Sequence, residues 1–125
     1  MRRYINVGGK DIAFEANLGS AELYEILTGK NLFDELNANK VKTKEDPEKD
    51  KKSVSVLSVY KKLAFVMCVQ AQEPDIKAMK ARMNDDEYIT WLFNFDVSDF
   101  NNDFILDITD LWTGSQRSTS ESKNP

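Results

Sequence analysis

Histidine is absent from these 125 residues, and cysteine occurs once. The first absence removes the side chain best suited to acid–base chemistry near neutral pH, which is also the commonest metal ligand. One cysteine cannot close an internal disulfide, and such usage suits a reducing, cytoplasmic setting. Cys68 lies in Ala64-Phe65-Val66-Met67-Cys68-Val69 with apolar neighbours and no histidine to activate it. It reads as a buried structural thiol rather than a nucleophile. Long apolar runs are also missing. The longest, residues 63–69, falls far short of the ~20 residues that span a bilayer. Met1-Arg2-Arg3 leads into alternating residues instead of an apolar signal stretch, so no secretory leader is expected.

Positive charge is in deficit. Seventeen Lys and Arg against 21 Asp and Glu give a net charge of −4, with a pI near 4.9. Nucleic-acid binders usually carry a basic face, and this balance argues against one. The basic-looking stretch from Lys40 to Lys52 is diluted by Glu45, Asp46, Glu48 and Asp50, which suits a solvated linker better than a phosphate-binding arm. Apolar content of 41% and charged content of 30% compare with typical values of ~45–50% and ~25%. The shortfall sits in two polar segments, residues 39–53 and 113–125. Neither can bury enough apolar surface to offset an ordering entropy of roughly 1–2 kcal/mol per residue. The expected organisation is therefore one hairpin-plus-helical domain over 1–112, a mobile charged loop at 39–53 and a disordered polar tail at 113–125.

Within the domain, Ile5 and Val7 alternate with Tyr4 and Asn6, then Gly8-Gly9 precedes a second alternating run containing Ile12 and Phe14. A Gly-Gly pair between two such runs signals a hairpin, because tight primed turns need positive φ. Ile5, Val7, Ile12 and Phe14 should share its buried face, and the pair must pack on something, since two strands alone are marginal in water. Ser20 or Gly19 caps the next helix, with Glu22 in its first turn, Leu23, Ile26 and Leu27 as its apolar stripe and Gly29 as its left-handed stop. A short helix with Leu32, Phe33 and Leu36 inward follows. Residues 54–72 are apolar around most of a helical circumference, as in the central helix of a bundle. A strand is the minority reading there. Pro74 opens a helix over 75–83, and Asn84 with Glu87 has capping-box spacing before the next. The last helix runs over 98–112. The fold class is α+β, mainly α: an N-terminal β-hairpin packed on a bundle of about five helices.

Few groups suggest chemistry. Asp99, Asp103, Asp107 and Asp110 would share one face of the last helix, but calcium loops need a Gly-hinged irregular backbone rather than a straight helix. A solvated acidic face is the better reading, ahead of a docking face for a basic partner. Asp85-Asp86-Glu87 sits at a helix N-terminus, where the dipole favours acids in any case. Gly8-Gly9 lacks the spacing of a phosphate cradle. No catalytic residue, cofactor or metal is assigned. Tyr88, Trp91, Phe93, Phe95, Phe100, Phe104 and Trp112 form an aromatic excess too large for a small domain to hide completely, and its exposed remainder would bind protein. The partner-binding candidates are Phe33, Trp91, Phe95, Phe100 and Trp112.

Three stretches carry a family resemblance: Ile5-Asn6-Val7-Gly8-Gly9-Lys10 before a strand, Leu27-Thr28-Gly29-Lys30-Asn31-Leu32-Phe33, and Leu111-Trp112-Thr113-Gly114-Ser115 before a polar tail. In these the chain resembles the tail assembly chaperones of long-tailed bacteriophages, of the type found in phages and prophages of Gram-positive bacteria. The order of elements matches over almost the whole chain, although the charged insertion at 39–53 is longer than expected. The resemblance implies a non-enzymatic protein of the host cytoplasm that coats the tape measure protein, recruits the major tail protein and leaves before the virion is complete. It also implies a longer form of the protein made by ribosomal frameshifting, and it is compatible with a homo-oligomer. Neither nucleic acid nor membrane is an expected partner. Ser122-Lys123-Asn124 can be encoded as TCA-AAA-AAC, which contains the slippery heptamer A AAA AAC; any other Ser122 codon excludes that heptamer. Two other readings share the small acidic helical profile: a head–tail connector component, and a small cytoplasmic regulatory or interaction protein.

Overall fold

The computed structural model describes the backbone of residues 1–40 and 49–121, and the side chains of 1–38 and 57–114. Strands β1 (Arg2–Val7) and β2 (Lys10–Glu15) pair antiparallel, with Ile5 opposite Ile12 and Val7 opposite Lys10. Gly8 and Gly9 make the turn at φ 61° and 86°, the left-handed values a two-residue primed turn requires. Period-two alternation puts Ile5, Val7 and Phe14 in the core, with Ile12 half-buried. The other face is polar and tied together by Asn6 donating to Asp11 and Arg2 donating to Glu15, each at 3.0 Å. Burial works against the charge of the Glu15 carboxylate. Hydrogen bonds from the Met1 ammonium and Arg2 outweigh that, so its pKa lies below the usual value.

Helix α1 (Leu18–Thr28) begins earlier than expected: its cap is Asn17, and Ser20 lies one turn inside, fully buried. The reason is a polar network that reaches across 50 residues. Asn17 N–H donates to Ser20 Oγ, Ser20 donates to Gln70 Oε1, and Gln70 Nε2 donates back to Asn17 Oδ1. The earlier start rotates the buried face. Leu23 and Leu27 are in the core as expected, but Tyr24 takes the place expected for Ile26, which is 48% exposed. Tyr24 can be buried because its hydroxyl reaches Glu35 at 3.3 Å, giving the polar end of the ring a partner. Burial, and then the Glu35 charge, push its pKa well up. Gly29 stops the helix at φ 75°, its N–H donating to Glu25 O.

Asn31 caps α2 (Leu32–Lys40) through Asp34 N–H. Leu32 is in the core and Leu36 half-buried, but Phe33, expected inward, is 41% exposed. Helix α3 (Lys49–Gln72) is the centre of the molecule: every residue of 63–69 is buried, and β2, α1, α2, α5 and α6 pack around it. Asp75 caps the short α4 (Ile76–Ala81) and Asn84 caps α5 (Asp85–Leu92), each through the N–H three residues on. The capping box expected of Glu87 does not close. Its carboxylate instead accepts from Arg82 Nε, while Arg82 Nη1 reaches Gln72 and Glu73 at the end of α3.

The last helix is divided. A 3₁₀ turn (Val97–Asp99) is followed by a break, and α6 (Asn102–Glu121) starts afresh with Asn101 capping Phe104 N–H. Asx side chains that bond nearby backbone compete with helix continuation, and Asp99 and Asn101 both do so here. The two segments expected to be irregular are partly helical. Helix α2 runs to Lys40, α3 starts at Lys49, and α6 continues to Glu121, since extending a nucleated helix costs far less than starting one. Residues 41–48 of the expected loop, and 122–125 with the Ser122-Lys123-Asn124 site, lie outside the described residues. The chain is thus mainly helical α+β, with the hairpin packed against a bundle around α3.

Candidate protein-docking surface

Six rings, Phe65, Tyr88, Trp91, Phe95, Phe100 and Phe104, form one connected stack. Phe65, fully buried on α3, meets Tyr88 at 5.6 Å and Trp91 at 5.5 Å between centroids. Trp91 meets Phe95 at 4.9 Å in an edge contact, Phe95 meets Phe100 at 5.1 Å, and Phe100 meets Phe104 at 4.6 Å. Such tilted and edge contacts are the arrangements the ring quadrupoles favour. The helix period explains the inner members: Tyr88 and Trp91 lie at i and i+3 on one face of α5, and Phe95 follows in the turn after its end. The chain then turns through the 3₁₀ segment, and the stack comes out of the core. Phe95 and Phe100 are half-buried and, with Leu57, Leu92 and Val97, line a surface groove of about 180 Å³. Lys61 and Asp96 stand at its edge. Val97 is 96% exposed, and Phe93, the residue that ends α5, is 81% exposed.

The five candidate residues therefore separate. Phe95 and Phe100 come together on the groove. Trp91 supports them from the core at 4.9 and 6.0 Å, and its ring is itself buried. Trp112 is also buried, and its ring contact is Phe33, 5.8 Å away. Phe33 alone of the five is exposed. Phe93 and Val97 were not among the candidates, although the helix period contains a signal for Phe93. Two residues past Trp91 is about 200° around the helix, nearly opposite the buried face.

The other polar features are structural. Asp99 leaves the expected aspartate stripe because it belongs to the 3₁₀ turn, where its carboxylate accepts from Asp96 N–H at 2.8 Å. Among the described residues no group of three or more His, Cys, Asp or Glu is placed to hold a metal ion. Cys68 is buried, and that burial raises its thiol pKa despite a hydrogen bond from Trp91 and the nearby Arg82 charge. Arg82 lies 5.9 Å over the Phe65 ring and binds two carboxylates, so it ties α5 to the end of α3. No described helix is long and apolar enough to cross a membrane. No protein-family model matches the chain, and neither does any curated protein or solved structure.

Proposed function

We propose that this protein is a non-enzymatic tail assembly chaperone of a long-tailed bacteriophage of the Gram-positive type. It coats the tape measure protein in the host cytoplasm, recruits the major tail protein, and is released before the virion is complete. The observation that carries this reading is the aromatic groove at the α5–α6 junction, lined by Phe95, Phe100 and the exposed Val97, together with the exposed Phe93 at the end of α5. Amphipathic helices bind such grooves by laying apolar side chains at i, i+3, i+4 and i+7 into them. A tape measure protein is a long helical client with many such stripes. Rings already locked by their neighbours lose little side-chain freedom on binding, which favours affinity. Asp96 and Lys61 at the edge suit a client helix whose stripe is flanked by charge of both signs.

Co-expression with the tape measure protein of the same genome tests the reading. The client should stay soluble and co-purify, and a Phe93→Ser, Val97→Asp double variant should lose it while remaining folded. Equal solubility of the client alone, or failure of the native pair to co-purify, refutes the proposal. A gene position away from the major tail and tape measure genes would favour a connector component.

A further inference from the structure

A second groove, of about 590 Å³, lies between α1 and α4 and shares no lining residue with the first. Leu23 and Met79 form its apolar floor, and Ile26 and Ile76, 48% and 56% exposed, form its lips. Its charges are sorted by helix. Glu22 and Glu25 stand on the α1 wall and Lys80 on the α4 wall. Among the described residues none of these three takes part in an ion pair. Leu18, also exposed, extends the α1 wall, since positions 18, 22, 25 and 26 fall on one helical stripe. Gly19 and Gln70 line its end beside the Asn17–Ser20–Gln70 network, where a Cβ on Gly19 would stand 3.0 Å from Asn17 Oδ1.

We propose that this groove is a self-association surface, filled by the same groove of a second copy. With a two-fold axis running along the groove, each α1 lies over the α4 of the other copy. Ile26 then meets Ile76, and the acidic wall faces the lysine wall twice over. An isologous contact requires one patch to carry both halves of every interaction, and a patch acidic on one wall, basic on the other and apolar between satisfies that requirement. A foreign helix would have to supply both charges in matching order, whereas the rotated copy supplies them by symmetry. The contact stands independently of the client reading and closes at two copies.

Sedimentation velocity of the full chain over a concentration series should show a monomer–dimer equilibrium. Glu25→Lys places lysine against lysine and Lys80→Glu places glutamate against glutamate, so each should weaken dimerisation by about tenfold or more. An equimolar mixture of the two variants should regain it, because every contact between unlike copies again pairs opposite charges. Recovery on mixing also separates charge repulsion from misfolding. A native chain that stays monomeric throughout, variants that dimerise as the native chain does, or a mixture that fails to recover would each overturn the proposal. Tape measure binding is read in parallel. Client retained by a monomeric variant leaves the chaperone reading intact, and client lost from an intact native dimer counts against that reading alone.

Discussion

Residues 63–69 are the longest apolar run of the chain and residues 91–104 its stretch richest in aromatic rings, and the two end up differently. Every side chain of 63–69 is buried, whereas the second stretch runs from buried Trp91 through half-buried Phe95 and Phe100 to Phe93 and Val97 at the surface. Composition accounts for part of this, since every residue of 63–69 is apolar while half of 91–104 are Asp, Asn or Ser. Position accounts for the rest: residues 63–69 of α3 lie where β2, α1, α2, α5 and α6 pack around the helix, while 93–101 is a turn that, among the described residues, leaves Phe93 and Val97 uncovered. A central helix can be apolar all round because neighbours surround it. A turn that carries large rings at the edge leaves apolar surface exposed, and such surface marks an interaction site.

The largest effect that would break this comparison is expected in the core. Phe65→Ala removes the ring on which Tyr88 and Trp91 rest and should cost about 3–5 kcal/mol in denaturant unfolding. A loss below about 1 kcal/mol would mean that α3 is not the centre of the fold. Next in size is the contact of the hairpin turn with the 3₁₀ turn. A Cβ on Gly8 would stand 2.6 Å from Asp99 Oδ2, while one on Gly9 meets nothing within 4 Å, though both have positive φ. Gly9→Ala should cost about 1–2 kcal/mol from backbone strain alone. Gly8→Ala should cost more, and Asp99→Ala should reduce that excess. Equal losses for the two glycines would place the hairpin away from the 3₁₀ turn.

A smaller effect is confined to alkaline pH. Burial pushes the Tyr88 pKa up to about 12 from the ordinary tyrosine value of 10.0. The folded state therefore holds its proton more tightly than the unfolded chain does. That contribution is fully present below pH ~10 and is lost as pH rises from there through ~12. Tyr88→Phe should flatten the fall in melting temperature over that interval and change little at neutral pH; an unchanged alkaline profile would place the hydroxyl in water. The smallest effect should be Phe93→Ala, within about 0.5 kcal/mol of the native stability, although the same change weakens client capture. A large loss of stability would show that this ring packs as 63–69 does and is no docking residue.

Local signals were readable wherever the reason was local. Gly8-Gly9, the Gly29 stop and the Asn84 cap each answer a demand of backbone geometry within a few residues, and each is found where it was expected. The start of α1 was misplaced because its cap is selected by Gln70, which is 53 residues from Asn17 in sequence. The period points Ile26 inward because it leaves two adjacent faces open, and the hydroxyl's partner Glu35 lets Tyr24 be buried in its place. The helix expected over 98–112 was split for a related reason. The apolar period of Phe100, Phe104 and Ile108 is real, but the caps at Asp96 and Asn101 overrode its first turn. Of the candidate docking residues, Phe95 and Phe100 were placed on the groove, and Trp91 and Trp112 proved to be their supports or part of the core.

Sequence alone determined the inventory of elements, the central place of the 63–69 helix and the excess of rings near the end of the chain. Periodicity, turn chemistry and burial demand act within one element or through composition. Which ring faces water, which polar side chains are satisfied in the core and which walls border each groove were decided only by tertiary structure. Each of those depends on residues far apart in sequence meeting at a particular angle, as Gln70 meets Ser20, Arg82 meets Glu73, and the acidic wall of α1 comes to stand across from Lys80.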